Sequence, residues 1–85
     1  MQSKVHDLYE ASKDGQHMTC CTFNGAEVRV VTAYDGTHND FPFHVFVREE
    51  GKPIHSLTEV PTTMRHATKE GAISQGLEMA MAYLS

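Results

Sequence analysis

Six histidines, His6, His17, His38, His44, His55 and His66, and the adjacent cysteines Cys20 and Cys21 are the side chains here that could ligate a metal or act as nucleophiles. Zinc sites pair their ligands at short spacings, and the chain has no C-x-x-C, no H-x-x-x-H and no H-E-x-x-H. His17 comes nearest to the cysteines. On an extended strand, however, His17 and Cys20 point to opposite faces, and His17 and Cys21 share a face ~13 Å apart. His44 and His55 approach each other across a predicted hairpin and would need a third ligand. The spacing therefore predicts solvated histidines, no metal centre and no cofactor.

Nucleophilic catalysis finds no better footing. Cys20 and Cys21 fall in the middle of a β-prone run rather than at a helix start, where a dipole would lower a thiol pKa. No base is placed by spacing to activate either of them. Asp35, Asn39 and Asp40 offer oxygen ligands to a hard cation, but they do not follow EF-hand spacing and turn chemistry accounts for them. The glycines of "GAISQG" match half of a phosphate loop, without the Gly-Lys-Ser/Thr ending and inside a helical pattern. The expectation is a protein that is not an enzyme.

The elements that would position these residues follow from periodicity. "HMTCCTFNGAEVRVVTAY" reads as two strands joined at Asn24-Gly25, the pair preferred for a type I′ turn. That turn sets Phe23 against Ala26, Cys21 against Val28 and Thr19 against Val30 on a buried face, with Cys20, Thr22, Glu27 and Arg29 on the other. After the polar loop "DGTHND", a second hairpin is predicted in "FHVFVREEGKPIHSL", turning at Glu50-Gly51. Val47 then faces Ile54, and His44 and Phe46 share the opposite face with His55 and Leu57. Residues 58–64, with Pro61, read as a connection. The last segment predicts a helix capped by Thr68 whose stripe Ile73, Leu77, Ala80 and Leu84 covers Val28, Val30, Val45 and Val47. Gly76 in mid-helix implies a close approach to the sheet. At the amino end, "SKVHDLYEASKDG" reads either as a short helix from Ser3 to Gly15 that buries Val5, Leu8 and Tyr9, or as a frayed arm.

The sum is a single α+β domain over residues 1–85: an antiparallel sheet of about four strands in two hairpins, with the carboxy-terminal helix on one face and a short amino-terminal helix. At 85 residues one core is all the chain can build. A net charge of −4, from 7 basic and 11 acidic residues, gives no general attraction for nucleic acid. No apolar run has the length of a membrane span and the amino terminus carries charges throughout, so the expected location is cytoplasmic. The two neighbouring cysteines cannot staple a loop.

From "YDGTHNDFPFHVFVREEGK" through "HATKEGAISQGLEMAMAYL" the chain resembles double-stranded RNA binding domains, on Gly36, His38, Phe43, Val45, Val47, Thr68, Lys69 and Ala72. That resemblance implies a basic contact surface of Lys52, Arg65 and Lys69, although Glu70 and Gly71 stand where the family opens its helix with a basic cluster. The "T-K-E-G-A" helix opening resembles HicB-like antitoxins, which are small acidic partners of toxin RNases. Taken whole, the sequence resembles the small hypothetical proteins of bacterial and prophage genomes.

Absent a catalytic constellation, the function expected is that of a binding or accessory module acting through protein contacts, with a protein partner or as a homodimer. His44, Phe46, His55 and Leu57 on the second sheet face, and Met79 and Tyr83 at the margin of the helix stripe, are its candidate contacts. Protonation of His44 and His55 in such a contact would weaken association between about pH 7 and pH 5.5.

Overall fold

The computed structural model describes residues 5–49, 51, 58–60 and 65–84. They form six strands, β1 (Val5–Lys13), β2 (Gln16–Phe23), β3 (Ala26–Ala33), β4 (Phe41–Arg48), β5 (Thr58–Val60) and β6 (Arg65–His66), followed by a helix, α1 (Lys69–Leu84). The sheet is antiparallel in the order β1-β2-β3-β4-β5, and β6 pairs with the outer end of β4. This is an α+β arrangement of one sheet and one helix, with more strands than the four expected.

The Asn24-Gly25 turn forms as its residue types require. Asn24 has φ 54° and Gly25 φ 82°, the paired positive values of a type I′ turn. It fixes the register Phe23 to Ala26, Cys21 to Val28 and Thr19 to Val30. Alternation then puts Ala26, Val28, Val30 and Thr32 of β3 on one buried face. On β4 the same face takes Phe43, Val45 and Val47.

Helix α1 lies against β3 and β4. Its first turn is capped by Thr68, whose Oγ1 accepts the Gly71 N–H at 3.0 Å. The core joins Cys21, Val28, Val30, Phe43, Val45, Val47 and Val60 of the sheet to Ala72 and Ala80 of the helix. The centre of the contact stripe is Ala72, Gly76 and Ala80, all buried; of the expected stripe Ala80 stands there, and Ile73, Leu77 and Leu84 do not. Leu77, Met79 and Leu84 pack against the core from its flanks and are only partly buried. Small residues hold the centre because the valines already fill the space there. A Cβ on Gly76 would stand 2.7 Å from Val30 Cγ1 and 3.3 Å from Val45 Cγ2.

Two further expectations are corrected. The amino-terminal segment is strand β1, not a helix, and Gly15 stops nothing: with Asp14 it makes a second tight turn, φ 54° and 82°. Asp-Gly is as good a hairpin pair as Asn-Gly, and β2, with its buried middle, gains a neighbour along its otherwise open edge. In addition, Val47 stands opposite Thr58, not Ile54, so β4 returns through residues 49–57 rather than a two-residue turn. The segment read as a connection thus contributes β5, and Ile54, His55 and Leu57 lie outside the described residues.

A clasp holds the start of the helix to the β3–β4 loop. Asp35 and Asp40 pair through their backbones, Asp35 N–H donating to Asp40 O at 2.8 Å. Arg65 in β6 donates from Nε to Asp40 Oδ2 at 2.8 Å and from Nη2 to Asp35 Oδ2. The cluster that offered oxygen ligands is therefore occupied by a guanidinium.

Candidate functional site: the open face of the sheet

With α1 on one side, the side chains that alternate to the other side of the sheet have no layer of the described residues over them. The register assigns them in cross-strand rows. Tyr9, Cys20, Arg29, Phe46 and Glu59 form one, and Ala11, Met18, Val31 and His44 the next. Beyond them stand Lys13, Gln16, Ala33 and Pro42 at one end, and Thr22, Glu27 and Arg48 at the other. Met18, Val31, Ala33, Pro42 and Phe46 are half-buried, and Tyr9 is 55% exposed. The surface carries an apolar tract that passes around Arg29 on the central strand, with further charge at its ends.

Two hollows meet beside Val31. One, about 210 Å3, is lined by Ala11, Ser12, Lys13, Gln16, Met18 and Val31. The other, about 110 Å3, is lined by Gln16, Val31, Thr32, Ala33, Pro42 and His44.

The charges on this face are mostly neutralised in place. Glu27 accepts from Arg48 Nε at 2.9 Å and Nη2 at 2.6 Å, and from Arg29 Nη2 at 3.2 Å. The Arg48 hydrogen bond, with the charge of both guanidiniums, holds the Glu27 carboxyl below the usual range. His44 Nδ1 lies 2.9 Å from Glu59 Oε2. Cys20, expected on the outer face and found there, is nonetheless 2% exposed. A hydrogen bond with the Cys20 thiol is the first cause that raises the Tyr9 hydroxyl pKa. Cys21 is in the core, where burial pushes its thiol up and disfavours the thiolate.

The structure brings together only some of the residues predicted for a contact. His44 and Phe46 are on the open face, as expected. Met79 and Tyr83 are on the helix, across the sheet from them; Met79 packs against the core and Tyr83 is 49% exposed. His55, Leu57 and Lys52 lie outside the described residues. For nucleic acid, Arg65 is held between two carboxylates and Lys69 is half-buried.

What the sequence reading missed is the contribution of β1 and β2, namely Tyr9, Ala11, Met18 and Gln16, together with Val31. The signal was present in Asp14-Gly15, since a hairpin there places alternate residues of "LYEASK" beside those of "QHMTC". The same hairpin sets Ser12 Oγ 2.9 Å from His17 Nδ1, with Glu10 Oε1 3.1 Å from Nε2. Glu10 lies off the Nε2–H axis, so Nε2 has no aligned acceptor. Ser12 and Glu10 are exposed, and a serine without an aligned relay or an oxyanion site is a surface hydrogen bond rather than a nucleophile. Among the described residues, no three His, Cys, Asp or Glu side chains converge on one point, and no helix is long and apolar enough to cross a membrane.

No family model, no curated protein and no solved structure matches this chain.

Proposed function

We propose that this protein is a non-enzymatic binding module that acts through protein contacts made by the open face of its sheet. One observation carries the reading: the helix seals one face, while the other keeps an apolar tract, around Arg29, that runs from exposed Tyr9 across half-buried Met18 and Val31 to Phe46 and Pro42. Monomers rarely leave such a tract uncovered when it spans several strands. Ion pairing along Glu27, Arg29 and Arg48 favours the same role, because a partner covering these groups would strand no lone carboxylate. The cytoplasm, where both thiols stay reduced, suits this role.

The test is capture of binding partners, this chain included, on an immobilised bait, comparing the natural sequence with Val31→Glu and with Tyr83→Glu. Retention of a defined protein that is lost with Val31→Glu and kept with Tyr83→Glu is the expected result. Retention that ignores Val31 and depends on Tyr83 would put the contact on the helix. A gel-shift titration with duplex RNA at low salt covers the nucleic-acid alternative, for which no shift at micromolar protein is expected, since Arg65 is neutralised by Asp35 and Asp40.

A further inference from the structure

We infer that the occupant of the open face is a second copy of this chain, packed sheet to sheet about a two-fold axis. The inference rests on the binding role proposed above and names its partner. Three features of the face support it.

The first is area. Four strands, β1 to β4, each eight or nine residues long, make up most of the face. At about 4.8 Å between strands and about 3.3 Å per residue they present roughly 500 Å2 of flat surface. Two copies in contact would cover roughly 1,000 Å2 before side-chain relief is counted, which reaches the lower bound for a specific interface and suits a weak dimer.

The second is charge. The whole chain carries −4, so two copies repel at long range. The open face is the exception. The charged residues that the register sets on it, Lys13, Arg29, Arg48 and Arg65 against Glu27, Glu59, Asp35 and Asp40, are a balanced set on an acidic molecule. The acidic side chains that the register sets on it, Glu27, Glu59, Asp35 and Asp40, already have partners. Two such faces can meet without like-charge repulsion and without burying a free carboxylate. An approach by the other surfaces would bring two acidic ones together.

The third is relief. The hollows on either side of Val31 can receive side chains from a facing sheet, whereas Met18, which lines one of them, is a long and adaptable side chain to fill such a space. Aligned sheets pack about 10 Å apart with interdigitated side chains, and a surface with hollows toward one end, beside the ridge of Val31, is suited to that contact with itself.

Analytical ultracentrifugation of the full chain over a concentration series up to about 200 μM, the range of a weak but specific dimer, tests this. The expected result is a concentration-dependent mass approaching twice 9.5 kDa. Val31→Glu and Met18→Lys should each weaken association by more than about tenfold, since they place an unpaired charge in the contact. Tyr83→Glu on the helix should leave it unchanged. Circular dichroism spectra matching the natural sequence establish that each variant is folded. A sample mixing isotope-labelled and unlabelled natural chains gives a reading that needs no variant, with intermolecular contacts expected at the Met18 and Val31 methyl groups. A strict monomer through the whole series overturns the inference, as does a dimer whose intermolecular contacts fall on Tyr83. If the chain is monomeric and yet Val31→Glu abolishes capture of another protein, the binding role stands and only its occupant is wrong.

Discussion

Two glycines of one helix show how a single side chain's surroundings set the sign of a substitution. Alanine has the higher intrinsic helix propensity, by about 1 kcal/mol, at either position. At Gly76 the added methyl would meet Val30 at 2.7 Å and 3.1 Å and Val45 at 3.3 Å, in a core whose valines are fully buried and have no room to withdraw. Gly76→Ala should therefore be net destabilising by about 1 to 3 kcal/mol, the usual cost of overpacking. At Gly71 the obstacle is the His66 ring, which the ideal Cβ would meet, but His66 is exposed and can rotate into solvent. Gly71→Ala should be within about 0.5 kcal/mol of the natural sequence or more stable, as surface helix substitutions are. Urea midpoints of the two variants check the pair, and a Gly76→Ala midpoint at or above the natural value would show that the helix does not sit as closely on Val30 as described. Leu77→Ala, at a partly buried flank, should cost about 1 to 3 kcal/mol, below the value for a fully buried leucine.

At the level of elements, local turn chemistry dominates where it is strong and is overruled where a neighbouring strand offers more. Asp14-Gly15 repeats the dihedral angles of Asn24-Gly25, and nothing lies within 4 Å of a Cβ built on Gly15. Gly15→Ala should then cost about 1 kcal/mol from backbone strain alone, measured as a shift in thermal midpoint, and its effect should concentrate in weaker amide protection along β1. Periodicity and the Asn-Gly pair made the β2–β3 register, the valine face and the Thr68 cap legible in the sequence, because each depends on residues close together in the chain. The same logic failed for β1. Its apolar residues Val5, Leu8 and Tyr9 have helical spacing, and what makes the segment a strand is the free edge of β2, which local sequence does not display. It failed again at Val47, whose partner Thr58 lies beyond a longer connection than any tight turn predicts. The open face was legible only by half. Phe46 and His44 follow from alternation on one strand, but Tyr9, Ala11 and Met18 join them only once β1 and β2 are known to pair.

Across the whole molecule, the charge pairs that tie distant strands together make its stability depend on pH in a definite direction. Glu27 joins β3 to β4 through Arg48, and Asp35 joins the β3–β4 loop to β6 through Arg65. The Arg48 hydrogen bond is the largest cause lowering the pKa of Glu27, and the His38 hydrogen bond the largest lowering that of Asp35. A carboxyl whose folded pKa lies below its unfolded one contributes stability that is fully present above the unfolded value, and that is lost as pH falls through the folded value. Stability should therefore hold level from neutral pH down to about pH 5 and decline through the range below about pH 4.5, where ordinary carboxylates titrate. Glu27→Gln keeps an acceptor for Arg48 but removes the titrating group, so its acid limb should be shallower while its stability at neutral pH falls. Both measurements need one fixed protein concentration, because self-association would itself add a concentration-dependent stabilisation. An acid limb with the same slope in Glu27→Gln as in the natural sequence would mean that the pairs among Glu27, Arg29 and Arg48 are not what couples β3 to β4.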